Sequence, residues 1–239
     1  MSESNQTLKV ANDIVAFIAK RGYEPGERLP SERDLTERFA VGRNAIREAL
    51  VFLEASRFIE RRRNSGIFLS PEMGQVSVET LVLSSKLGID IDPRTIVECM
   101  EVRKILELQA IALACERRTD EDLAALDTIL ARSAAALDEG ASIADLDYEF
   151  HMAIFRATHN DIFLRVVTPF YLMSSRRRDE FFSDHDNGLT SHAQHIRLVE
   201  AIRARDAAAA GDRMGRHIGR VEQHYLRQHG KNGETTSER

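Results

Sequence analysis

Four side chains in the second half of the chain have the types and spacing to hold a metal ion. Asp147 and His151 stand four apart in the helical run Asp147-Tyr148-Glu149-Phe150-His151, so both leave one face of a helix. His195 lies eleven residues before Asp206 and His217 eleven after it, and Asp206 has the character of a cap that starts a final helix. If the flanking helices fold back antiparallel, both histidines stand about 16 Å from the turn, and eleven steps of about 100° bring each almost to its starting angle. The two imidazoles could then face one point. Asp147 and His151 would complete a three-His, one-carboxylate set suited to a divalent transition metal: zinc, nickel or manganese rather than calcium, because imidazoles dominate. The alternative is a group of satisfied or solvent-facing histidines, since eight histidines on helices often yield pairs four apart. His192 and His224 do not fit the mirrored spacing.

A second chemistry lies near the N-terminus. On a helix from Arg43 to Ala55, Ile46, Ala49, Leu50 and Leu53 form one apolar stripe, which leaves Arg43, Asn44 and Arg47 on the outward face near the helix start. Arginine matches guanine O6 and N7, asparagine pairs with adenine, and free amides at a helix start accept phosphate. Arg33 on the preceding helix lies close enough to join them. Arg61-Arg62-Arg63 can lay charge along phosphates, and Gly66 lets the backbone approach a groove closely. Between Arg28 and Arg63 there are nine arginines, no lysine and six acids, so a basic face is available although the whole chain carries a net charge of −5. An ordinary solvated face is the alternative for any one of these arginines.

The elements that must position these residues read as mainly α: an N-terminal winged helix-turn-helix of three helices plus a β-hairpin wing, then an all-α bundle. Helices are expected over Leu8–Arg21, Ser31–Phe39 and Arg43–Ala55, with Ser31 and Asp34 forming a capping-box-like start and Pro25-Gly26 a turn. Phe58-Ile59-Glu60 and Ile67-Phe68-Leu69 flank a turn at Asn64-Ser65-Gly66 and make the hairpin. Seven further helices are expected: Ser77–Leu87, Pro93–Arg117, Glu121–Glu139, Ile143–His159, Ile162–Phe182, Leu189–Arg205 and Ala207–Gln228. The resulting domains are 1–70, the winged helix-turn-helix for DNA binding, 71–75 as linker and 76–229 as the all-helical domain, with a disordered tail over 230–239. Gly211, Gly215 and Gly219 recur every four residues on the last helix, where a close-packed neighbour would compensate their cost.

Composition narrows the class. At 43% hydrophobic and 30% charged residues the chain is neither wholly disordered nor fibrous. No apolar run approaches the roughly 20 residues of a membrane span, and Met1–Lys9 has no signal-peptide core, so a cytoplasmic protein with no membrane partner is expected. Cys99 and Cys115, about 24 Å apart on one helix and on nearly opposite faces, cannot pair with each other.

The stretch Pro25-Gly26-Glu27-Arg28-Leu29-Pro30-Ser31-Glu32-Arg33-Asp34-Leu35, followed by Val41-Gly42-Arg43 and Ile46-Arg47-Glu48-Ala49-Leu50, closely resembles the winged-helix domain of GntR-family regulators over Ala11 to Leu69. That resemblance implies that Arg33, Arg43, Arg47 and the wing glycine Gly66 touch DNA. It departs at Gly42, where a Ser or Thr commonly caps the recognition helix, and at Asn44-Ala45 in the variable contact positions. Asp-x-x-x-His, then two histidines twenty-two apart with Arg205-Asp206 between, is similar to the FCD ligand-binding domain of the FadR subfamily, over Pro93 to His224. The likeness implies a metal on Asp147, His151, His195 and His217 and an organic-acid effector that reaches it. It also implies that Arg103 meets an effector carboxylate, against an intrahelical pair with Glu107, and that Asn160 belongs to the effector site, against a simple helix cap. A homodimer on a pseudo-palindromic double-stranded operator is expected from one recognition helix per chain. A metal-dependent enzyme is the rival class, but no further base or nucleophile is arranged for it and it leaves the N-terminal domain unexplained. A DNA-organising protein that uses its helical domain only to dimerise is a second rival.

Overall fold

The computed structural model describes residues 3–71, 78, 81–82, 85, 91 and 93–229. The chain divides into two compact units, Met1–Ile91 and Asp92–Arg239. Apart from Pro71 and a few isolated positions, the linker expected over 71–75 and the helix expected over 77–87 lie outside the described residues, as does the 230–239 tail.

In the first unit, α1 (Glu3–Arg21) buries Val10, Ala11, Ile14, Val15 and Ile18 against α3 (Arg43–Ala55), which contributes Ile46, Ala49, Leu50 and Leu53. The helix α2 (Glu32–Phe39) opens on a capping box: Ser31 Oγ accepts from Asp34 N, and Asp34 returns the bond to Ser31 N at 3.1 Å. Ala40, left-handed at φ 50°, ends α2 and turns the chain into α3. Antiparallel β1 (Ile59–Arg62) and β2 (Gly66–Leu69) form the wing, with Ile59 opposite Leu69 and Arg62 opposite Gly66. Beyond the turn expected at Pro25-Gly26, the segment Gly26–Leu29 hydrogen-bonds along β2: Gly26 N donates to Leu69 O at 2.9 Å and Leu29 N to Ile67 O at 2.8 Å. This contact ties the wing to the start of α2.

Every regular element among the described residues of the second unit is a helix: α4 (Pro93–Arg117), α5 (Asp120–Asp138), α6 (Ala144–Arg156), α7 (Asp161–Met173), α8 (Ser175–Phe182), α9 (His185–Arg203) and α10 (Ala207–His229). Its core joins Ile111 and Ala114 of α4, Phe150 and Phe155 of α6, Tyr171 of α7, Leu198 and Ile202 of α9, and Met214 of α10. The helix expected over Ile162–Phe182 is two helices. Pro169 lacks one helical N–H, and beyond it the carbonyl of Tyr171 accepts from Ser174 Oγ at 3.1 Å and Arg178 Nη1 at 3.2 Å, so the ladder stops at Ser174. The helix expected from Leu189 starts earlier, capped by Asp184. Its Gly188 admits Leu137 where a Cβ would stand 2.8 Å from Leu137 Cδ2. Of the three glycines on α10, Gly215 meets Leu108 at 3.9 Å, whereas Gly211 and Gly219 meet nothing within 4 Å, so the neighbour expected along that stripe is missing at two of three positions among the described residues.

Candidate functional site

The short connection between α9 and α10 sets the register of two key histidines. Arg205 takes a left-handed conformation at φ 56° and donates to Cys115 O at 3.0 Å, strapping the turn to the end of α4, while Asp206 accepts from Ala209 N to open α10. His195 and His217 consequently meet, their Nε2 atoms 3.3 Å apart. From α6, a helix buried over most of its length, His151 brings its Nε2 within 3.2 Å of His217 Nε2. Asp147, one turn earlier, lies with Oδ1 at 3.4 Å from His195 Nε2 and 3.8 Å from His151 Nε2. All four donor atoms lie within 4.8 Å of one another and all four residues are buried. Four donors about 2.1 Å from one ion in a tetrahedron would be about 3.4 Å apart, so the set has the size of a metal cage.

The surroundings determine which nitrogen carries the proton. Glu107 presents Oε2 to His151 Nδ1 at 3.1 Å, and Gln194 presents Oε1 to His217 Nδ1 at 2.8 Å. Burial alone would push the Glu107 carboxyl up, but His151, Arg103 and Tyr171 outweigh it and hold Glu107 below the usual range, as a carboxylate. A carboxylate and an amide oxygen can only accept, so both Nδ1 atoms donate and each ring turns its Nε2 inward as the atom open to a metal. The two Nε2 atoms face each other across 3.2 Å in a buried site. One proton relieves a single such contact, whereas an ion at the centre serves all four donors. His195 and His217 are held neutral chiefly by burial, with neighbouring histidines adding to the effect. His195 is further fixed by stacking on Phe150 at 3.9 Å.

Arg103 shares a cavity wall with Asp147 and His217. It also pairs with Glu107 at 3.5 Å and donates to Tyr171 OH at 2.7 Å, so the intrahelical pair and the cavity position coexist. Its Nε has no hydrogen-bond partner. Asn160 is exposed, is not among the residues lining the cavity, and its side-chain oxygen accepts from Phe163 N at 3.1 Å as the cap of α7. Glu107, Tyr171 and Gln194 were not singled out as site residues from the sequence. Glu107 carried a usable signal, an acid on the same stripe of α4 as Ile111 and Ala114.

In the first unit, Arg43, Asn44 and Arg47 are exposed along the first turns of α3. Gly42 supplies no side-chain cap, which leaves the amides there available to an anion. Arg33 pairs with Glu37 at 3.3 Å, Arg47 with Glu32 at 3.0 Å and Arg61 with Glu32 at 3.9 Å. Gly66 takes φ 114°, a conformation strained for residues with a side chain, and a Cβ there would lie 3.1 Å from Arg28 Nε, so any other residue also requires the Arg28 side chain to give way.

Residues 6–69 match the sequence signature of the bacterial regulatory proteins of the gntR family, and residues 98–220 match that of the FCD domain. The Galactonate operon transcriptional repressor of Escherichia coli is 32% identical over 86% of this chain and 90% of its own length. The chain belongs to the GntR family. Its pairing of a GntR helix-turn-helix with an FCD domain is the FadR-type arrangement, and such proteins are DNA-binding transcription regulators, not enzymes. The HTH-type transcriptional regulator LutR of Bacillus subtilis is 30% identical over 86% of this chain and 94% of that protein. A structure described as Lar, which controls expression of the Listeria monocytogenes agr system, superposes with a TM-score of 0.65 at 18% identity, covering 90% of this GntR chain and 94% of its own, and shares the fold. Among the described residues no helix is long and apolar enough to cross a membrane.

Proposed function

We propose that this GntR regulator acts in the cytoplasm as a homodimer, reads a pseudo-palindromic operator, and changes its operator affinity when a small carboxylate binds at a metal site in its 76–229 domain. The DNA-reading residues are Arg33, Arg43, Asn44 and Arg47, with Gly66 at the wing turn of the 1–70 domain. Asp147, His151, His195 and His217 hold one divalent transition ion, with zinc, nickel or manganese suited to an imidazole-rich set. The observation that carries this reading is the convergence of four buried donor atoms within 4.8 Å of one another, with Glu107 and Gln194 engaging the outer nitrogens of His151 and His217. When bound, the ion supplies a Lewis-acidic position for a carboxylate oxygen. Arg103, on the same wall, supplies charge to the acid's other oxygen. The name of the Escherichia coli relative supports a sugar or hydroxy acid as the effector. Asn160 has no part in this site.

The switch requires an acid that binds the DNA-competent and incompetent arrangements unequally, typically by about 1–3 kcal/mol. It is tested by calorimetric titration of hydroxy and sugar acids into metal-loaded and metal-stripped protein, followed by operator binding with each acid that binds. Binding that survives both metal removal and Arg103→Ala contradicts the site. An acid that binds tightly yet leaves operator affinity unchanged contradicts the switch.

A further inference from the structure

The cavity beside Asp147 and His217 extends away from them to a second cation. Arg177 lines it, with its guanidinium carbon 5.6 Å from the Tyr225 ring centroid. Among the described residues Arg177 has no recorded hydrogen bond or ion pair, which separates it from the other arginines on the wall. Arg178 donates to Ala144 O at 2.9 Å and Tyr171 O at 3.2 Å, and Arg103 is engaged by Glu107 and Tyr171. Glu180, the nearby acid on the wall, accepts from Arg176 at 3.2 Å. Burial works against the charge on Arg177, and although Tyr225, Cys99 and Glu180 offset this in part, no carboxylate forms an ion pair with it among the described residues.

The separation of the two ends follows from α10. His217 and Tyr225 are eight residues apart on that helix, about 12 Å along its axis. Ile218 and Val221 line the wall between them.

We infer that the effector is a small acid with two acid groups, one carboxylate at the Arg103 and metal end and a second acid group on Arg177. The inference rests on the proposal that this cavity takes a carboxylate, and it adds the second acid group. Arginine's planar fork binds carboxylate and phosphate alike, so an ω-carboxylate and an ω-phosphate share the chemistry. The apolar stretch between the ends accommodates a carbon chain.

The test uses full-length, metal-loaded protein and two matched pairs of acids, adipate with hexanoate and 6-phosphogluconate with gluconate, titrated calorimetrically into wild type, Arg177→Gln and Arg177→Lys. Adipate is expected to bind at least about tenfold more tightly than hexanoate, or 6-phosphogluconate than gluconate, and the larger gap names the second acid group. Arg177→Gln should close the gap while leaving the singly charged acid's affinity and the metal content unchanged, and Arg177→Lys should keep part of it. If Arg177→Gln loses its metal or its thermal transition, Arg177→Lys carries the comparison through a narrowed gap. Dianions within twofold of their matched monoanions in wild type, or gaps that persist undiminished in both variants, would overturn the inference while leaving the carboxylate site intact. If none of the four acids binds metal-loaded wild type, the carboxylate site itself fails and the inference fails with it.

Discussion

In the N-terminal unit Arg33, Arg47 and Arg61 meet Glu37 and Glu32 in contact with solvent, whereas in the C-terminal unit Asp147, His151 and His195 converge on His217 as buried groups with Glu107 behind them. The groups are equally polar, but the dielectric around them differs. Exposed pairs are worth about 0–1 kcal/mol, so Glu32 and Glu37 can release their arginines to phosphate or base edges at little cost. Buried groups have no such freedom, because each must be matched by a partner or an ion. The first arrangement suits a surface that exchanges partners, and the second suits a site that is either filled or strained.

The largest expected effect falls on Glu107, which joins the two functions of the buried site by fixing His151 and balancing Arg103. Glu107→Gln keeps the volume and removes the charge. It should cost about 3–5 kcal/mol of stability by urea denaturation and weaken metal binding about 10- to 100-fold. A loss below 1 kcal/mol would place the buried network in the same class as the surface pairs.

Metal removal comes next. An ion present at 1,000 times its dissociation constant contributes about 4 kcal/mol, so chelation should lower the main calorimetric transition by roughly 8–16 °C. The stripped protein should also be acid-sensitive. His195 and His217 are depressed from 6.5 in the folded chain, so below about pH 6.5 the unfolded chain takes up protons that the native one refuses, and stability falls as pH falls through that window. A stability profile flat between pH 7.5 and 5.5 in the stripped protein would contradict the buried, neutral histidines.

The surface should respond more mildly and in a different measurement. Arg43→Ala and Arg47→Ala should each weaken operator binding by about 1–3 kcal/mol in fluorescence anisotropy while leaving stability nearly unchanged. Glu32→Gln releases Arg47 and Arg61, so operator affinity should rise while stability changes by less than about 1 kcal/mol. Full operator affinity in both arginine variants would remove α3 as the reading helix.

The two units also differed in how much their sequences revealed. The helix expected at Arg43–Ala55 is found there, because one apolar stripe gives its extent and the Ala40-Val41-Gly42 break marks its start locally. The Asp147, His151, His195 and His217 quartet was legible from helical angle and from the mirror about Asp206, both short-range properties. What escaped depends on chain segments far apart. Tyr171 reaches Glu107 from 64 residues away and Gln194 meets His217 from the neighbouring helix, so neither role is written in local periodicity. The break at Ser174 was hidden for a related reason: Arg178 and Ser174 side chains take the Tyr171 carbonyl, and helical pattern counts only apolar spacing. The early start of α9 was masked by His185-Asp186-Asn187-Gly188, poor helix formers that the Leu137 contact at Gly188 accommodates.

The central claim, that the buried quartet holds one divalent ion, is tested most directly by native mass spectrometry with metal analysis of the full-length protein beside His195→Ala and His217→Ala. The account predicts one transition-metal ion per chain at pH 7.5, its release at pH 5 as the imidazoles protonate, and none in either variant. Full metal stoichiometry in both variants would contradict it.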